Sequence, residues 1–124
     1  MGAPKMRTLL LVGAGGFLGS VCRYLVGISV PPSLWGLPLP TLVVNVVGSL
    51  LIGVLAGLGE SRLGAEAWGF AVIGCLGGFT TFSALSLETL TLVRAGNAGL
   101  AALGVLLQVG VGLVAAWVGY VSMR

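Results

Sequence analysis

The chain has 124 residues, of which 57% are hydrophobic and only 7% charged, and its net charge is +3. A soluble domain carries roughly 25% charged residues to cover its surface, so this composition excludes an ordinary water-soluble fold and leaves lipid as the solvent. The few Lys and Arg residues are scattered along the chain, and the clustered basic patch that nucleic acid needs is missing. There is no histidine, and Cys22 and Cys75 lack metal-ligand spacing. The two cysteines therefore read as small buried hydrophobes rather than ligands or a disulfide framework.

Four apolar segments follow in chain order, at residues 8–28, 41–58, 67–92 and 98–121. Each is near the ~20 residues that a spanning helix needs. The expected fold is an all-α, multi-pass membrane protein forming a single four-helix domain over residues 1–124. Between the segments lie "SVPPSLWGLPLP", "GESRLGAE" and "RAGN", which are breaker and turn compositions. Lys5 and Arg7 ahead of an apolar run would suit a signal peptide, but three more spans follow. Lys5, Arg7, Arg62 and Arg124 fall on one side, Arg94 and Arg23 toward the other. So weak a bias permits insertion in both orientations. Trp35, Trp68, Trp117, Tyr24 and Tyr120 lie near segment ends, as an interfacial aromatic belt requires.

Small residues recur every four positions along three spans. Gly15, Gly19, Arg23 and Gly27 form one stripe; Asn45, Ser49, Gly53 and Gly57 a second; Gly104, Gln108, Gly112, Ala116 and Tyr120 a third. Residues so spaced share a helix face, and small ones let helices approach closely in lipid. Each stripe carries a strongly polar residue, Arg23, Asn45 or Gln108, that should face protein or water rather than lipid. "GAGGFLG" resembles a dinucleotide loop only superficially, because Leu18 stands at its third glycine position and no acid follows about twenty residues later.

The third span is the unusual one. It contains "GCLGGFTTFSALSLETL", with Gly77-Gly78 ahead of Thr80-Thr81. Paired glycines loosen a helix, and a break inside a membrane survives only where protein or water satisfies the freed backbone groups. A break near Gly77–Thr80 is therefore expected. Exposed carbonyls there suit a cation and freed N–H groups an anion. The hydroxyls of Thr80, Thr81, Ser83 and Ser86, with Asn45, supply hydrogen-bond donors. Phe79 and Phe82 supply ring edges of partial positive charge. Donors with ring edges fit a small anion. Glu88 is expected to cap or pair locally.

"GGFTTFSALSLET", "TLVVNVVGSLLIG" and "GGFLGSVCRY" together resemble the Fluc (CrcB) family of fluoride channels across nearly the whole chain. The resemblance implies passive fluoride efflux from a multi-pass protein of the plasma (inner) membrane. It implies an antiparallel, dual-topology homodimer with two pores and one structural Na⁺. It places Asn45 as the pore asparagine, Phe82 as the first of two pore phenylalanines, and Ser83 and Ser86 at neighbouring hydroxyl positions. Thr81 joins them on the same path. Gly77 and Thr80 would offer backbone carbonyls to Na⁺, and Arg23 matches the first-helix arginine. Two departures stand out. Leu85 occupies the place of the second pore phenylalanine, and Gly104 and Gln108 replace a tyrosine and a serine, with Gln108 adding an amide donor to the pore. Leu85 leaves open a half-site or non-conducting subunit that works with a homologous partner. A small proton-coupled multidrug exporter is the remaining alternative, and it lacks the carboxylate its mechanism needs on the first span.

Overall fold

The computed structural model describes residues 2–124. Four helical spans account for most of the chain: Met6–Ser29, Leu39–Leu58, Ala65–Arg94 and Ala98–Ser122. Each end extends the apolar segment read from the sequence by no more than two residues, because helices continue into the polar residues that flank an apolar run. We label Met6–Ser29 as α1, the strands Ser33–Leu34 and Leu37–Pro38 as β1 and β2, and Leu39–Leu58 as α2. Glu60–Leu63 is α3, and the third span comprises α4 (Ala65–Trp68), a π-helical stretch (Gly69–Leu76), α5 (Gly77–Phe79) and α6 (Phe82–Arg94). The last span is α7, Ala98–Ser122.

Local chemistry sets the boundaries. Val30, in extended conformation, ends α1 because Pro31 follows it. The Pro-rich loop folds into a small antiparallel hairpin, with Ser33 opposite Pro38 and Leu34 opposite Leu37. Trp35 and Gly36 turn it with φ of 53° and 84°, the positive pair that a tight two-residue hairpin demands. Trp35 stands at the tip, 86% exposed, where an indole can anchor at the lipid–water boundary. Pro40 lies in the first turn of α2, where its missing N–H costs nothing.

Packing runs through the glycine stripes. On α2 and α7, a Cβ on Gly53 or Gly57 would strike the backbone of Ala116 or Tyr120. Gly112 takes Ser49 at its surface, and Gly119 meets the α2 backbone around Leu50 and Val54. The second and third stripes are therefore the two sides of one seam. On the first stripe, Gly15 and Gly19 are buried against the third span near Gly74 and Cys75, whereas Gly27 has open space around it.

The third span also answers why a π-helical stretch is present. Gly69, Gly74 and Gly78 all face α1: Gly69 near Val12, Gly74 against Val12 O and Gly78 against Gly16 O. They lie five and four residues apart. At 3.6 residues per turn, an α-helix would place Gly69 and Gly78 on opposite faces. The wider i→i+5 winding brings the three onto one. The break itself falls at Thr80 and Thr81, both extended (ψ 157° and 119°). Gly77 and Gly78 remain helical, because at Gly78 glycine serves close approach rather than chain reversal.

The outer surface is apolar, with Phe17, Ile28, Leu106, Leu113 and Trp117 among its exposed side chains. Cys22 is exposed on that surface and Cys75 half-buried, which corrects the expectation that both are buried; in lipid an exposed thiol is an apolar group like its neighbours.

Candidate functional site

The helix break is held by side chains from two other spans. Asn45 of α2 accepts the Thr81 N–H on Oδ1 at 2.9 Å and donates Nδ2 to Thr81 O at 3.1 Å. The amide thus imitates a neighbouring strand and pairs both polar groups of an extended residue. Arg23 of α1 donates Nε to Gly78 O at 3.1 Å. Thr81 also caps α6, its Oγ1 accepting the Ala84 N–H at 3.1 Å, as Thr does at helix starts. Thr80 Oγ1 donates to Leu76 O at 2.9 Å.

These bonds decide which carbonyls the break frees. Helical pairing would direct the Thr81 N–H to Gly77 O and the Ala84 N–H to Thr80 O. The first goes to Asn45 and the second to Thr81 Oγ1. Gly77 and Thr80 are therefore left with carbonyl oxygens released from the helix ladder, the chemistry a hard monovalent cation takes. Among the described residues there is no group of three or more His, Cys, Asp or Glu side chains that could hold a metal ion.

Asn45, Thr80, Thr81 and Gly77 line an open cleft of about 350 Å³, with Phe82 and Leu85 at its edge. A second cleft, about 510 Å³, is lined by Arg23, Tyr24, Thr41 and again Thr81. Thr81 stands between the two. Phe82 is 79% exposed, so its ring points away from the protomer. Ser83 and Ser86 are exposed on α6. Ser83 Oγ lies 3.2 Å from Thr81 Oγ1, and Ser86 Oγ donates to Phe82 O in its own turn at 3.0 Å. Within one protomer, Asn45, Thr81 and Gln108 come together, while Ser86 does not join them.

Gln108 is 9% exposed, and its Oε1 accepts from Asn45 Nδ2 at 2.7 Å. Reading it as an added donor missed this: toward Asn45 it is an acceptor. Leu85 is 8% exposed and lines a small internal cavity with Glu88, Gly104 and Gln108. Its branched side chain packs inward from α6. Glu88 does not pair locally. It accepts a hydrogen bond from Thr41 Oγ1 of α2, across 47 positions of sequence. Thr41 was not singled out from the sequence, where a lone threonine at a span's start carries no signal. A carboxylate in an apolar span does signal that a buried partner must exist.

Fold and site define a class: a multi-pass integral membrane protein whose third span is broken by a polar stretch that side chains of neighbouring spans hold in place. Residues 10–120 match the family described as CrcB-like protein, Camphor Resistance (CrcB), and the chain belongs to that family. It is 44% identical over 119 residues to the "Fluoride-specific ion channel FluC" of Methylobacillus flagellatus, covering 93% of each chain. It is 48% identical over 117 residues to the protein of the same name from Thermus thermophilus, covering 93% of this chain and 94% of that one. The Rhizobium meliloti protein of that name is 44% identical over 126 residues, covering 96% and 98%.

Proposed function

We propose that this chain is a fluoride-selective channel that lets fluoride leave the cell passively across the plasma membrane and so protects it from fluoride toxicity. The observation that carries this reading is its match, over nine-tenths of its length, to relatives named fluoride-specific ion channels. Such a protein catalyses no reaction. Fluoride enters cells as the neutral weak acid and ionises inside, so an anion-selective leak is sufficient for export.

The site residues act in this reading as follows. Asn45 and Thr81 offer N–H and O–H donors beside a cleft open on one side, and the Phe82 ring edge adds partial positive charge. Ser83 and Ser86 extend the hydroxyl path along α6, and Gln108 borders it from α7. Arg23 holds the break through Gly78 and adds positive charge to the second cleft. A small, strongly hydrogen-bonding anion gains most from such donors in a low dielectric.

The working unit is an antiparallel homodimer embedded in lipid. The open cleft and the outward Phe82 support it: a second copy would close the cleft and give the ring a partner surface. A structural Na⁺ on the released Gly77 and Thr80 carbonyls would tie the two breaks together and neutralise their dipoles. The half-site alternative rests on Leu85, and because Leu85 fills the protomer's interior it leaves no empty ring position there. Expression in a fluoride-sensitive cell should restore growth in fluoride. Growth that stays fluoride-sensitive with the protein in the membrane would count against the proposal.

A further inference from the structure

The donors of Asn45 are fully engaged in the resting protein. Its two Nδ2 hydrogens go to Thr81 O at 3.1 Å and Gln108 Oε1 at 2.7 Å. Which end of the amide is nitrogen is fixed by the Thr81 backbone, whose N–H faces Oδ1 and whose C=O faces Nδ2. The atom that Gln108 turns toward Nδ2 must then be its oxygen. Among the described residues the bond to Asn45 is the one side-chain hydrogen bond that Gln108 makes, and its Nε2 keeps some surface, since no fully buried side-chain nitrogen or oxygen lacks a partner. An amide held by a single direct hydrogen bond is in an exchangeable contact, because one such bond contributes only about 1 kcal/mol net.

From this we infer that Gln108 Oε1 is a tethered stand-in for the transported anion. It occupies the position on Asn45 Nδ2 that fluoride must take, and fluoride binds there by displacing it. The inference rests on the channel reading above. Displacement also requires the neighbouring side chains to give way, because little space adjoins the amide. The adjoining cavity, about 10 Å³ and bordered by Gly104, Leu85 and Glu88, is on the order of one water-sized centre. Glycine at position 104 presents no side chain to it. Gln108 therefore sets the channel's apparent affinity: it lets the pore rest without a bare amide donor and raises the fluoride concentration needed to fill it.

The test compares the full chain with Gln108→Ala in liposomes, reading fluoride flux against fluoride concentration. Removing a competitor should lower the half-saturating fluoride concentration by about fivefold, the factor that one net hydrogen bond is worth. If Gln108 is instead a helpful donor, the alanine variant will need more fluoride, and an unchanged value also overturns the inference while the channel reading stands. Should the variant not fold, side-chain amide NMR of the unmodified protein gives the answer. Fluoride, and not chloride, should shift both the Asn45 Nδ2 and the Gln108 Nε2 resonances; a shift of Asn45 alone contradicts displacement. Absence of flux from both chains and of any shift overturns the channel reading and this inference together.

Discussion

Asn45 grips Thr81 by both of its backbone polar groups, with hydrogen bonds of 2.9 and 3.1 Å. An extended residue inside a membrane needs this pairing, because no water is available to supply it. Asn45→Asp tests the relationship without changing size. One carboxylate oxygen keeps the Thr81 N–H, but the other faces Thr81 O and Gln108 Oε1 with no proton to give. The variant should lose about 1–3 kcal/mol of stability and most of its fluoride flux. Thermal unfolding in detergent and liposome efflux check the two effects separately.

Gly78 is where the third span lies against α1. A Cβ there would sit 2.6 Å from Gly16 O, and a backbone atom cannot move aside as a side-chain tip can. Gly78→Ala should destabilise by about 1–3 kcal/mol, the usual cost of overpacking. Gly13→Ala, on the same helix pair with open space around it, should be neutral or slightly stabilising, since alanine is the better helix former. Equal melting temperatures for the two variants would remove the close-approach argument.

Much of this arrangement was legible in the sequence because lipid imposes simple rules. The spans follow from apolar length, and the Asn45–Gly57 and Gly104–Tyr120 stripes do form one seam, as their spacing suggested. The break was expected near Gly77–Thr80 and falls at the end of that stretch, at Thr80-Thr81, because Gly78 is committed to α1 and Asn45 replaces the backbone pairing of Thr81. The π-helical winding was written in the spacing of Gly69, Gly74 and Gly78, but only in relation to a partner helix. Spacing along one span cannot show which helix a stripe meets. The same limit hid the Asn45–Gln108 and Thr41–Glu88 bonds, which join residues 63 and 47 positions apart. The hairpin at Trp35-Gly36 was obscured because tryptophan is uncommon at positive φ.

Thr41→Val should leave the half-buried Glu88 carboxylate without its hydroxyl donor. The expected loss is about 1–3 kcal/mol, the cost of an unsatisfied buried polar group. Thr41→Val with Glu88→Leu should lose less than the sum of the single changes, because both partners are then removed. A double-mutant cycle on thermal unfolding measures the coupling. Strict additivity would mean that the bond contributes nothing.

The released carbonyls of Gly77 and Thr80 give a prediction for ion removal. A ligand that binds only the assembled protein stabilises it in proportion to its occupancy. Exchanging Na⁺ for a bulky organic cation should lower the melting temperature of the purified protein, and Na⁺ in preference to K⁺ should restore it. Identical melting in the three media would leave the carbonyls without an ion to hold.

If the proposed function holds, this chain alone carries fluoride selectively despite Leu85. The most direct measurement is anion efflux from liposomes containing only the purified protein, recorded with fluoride and chloride electrodes. Fluoride should leave rapidly while chloride is retained, and Phe82→Ile should slow the fluoride signal strongly. Fluoride flux that is absent, or matched by chloride, would contradict the claim.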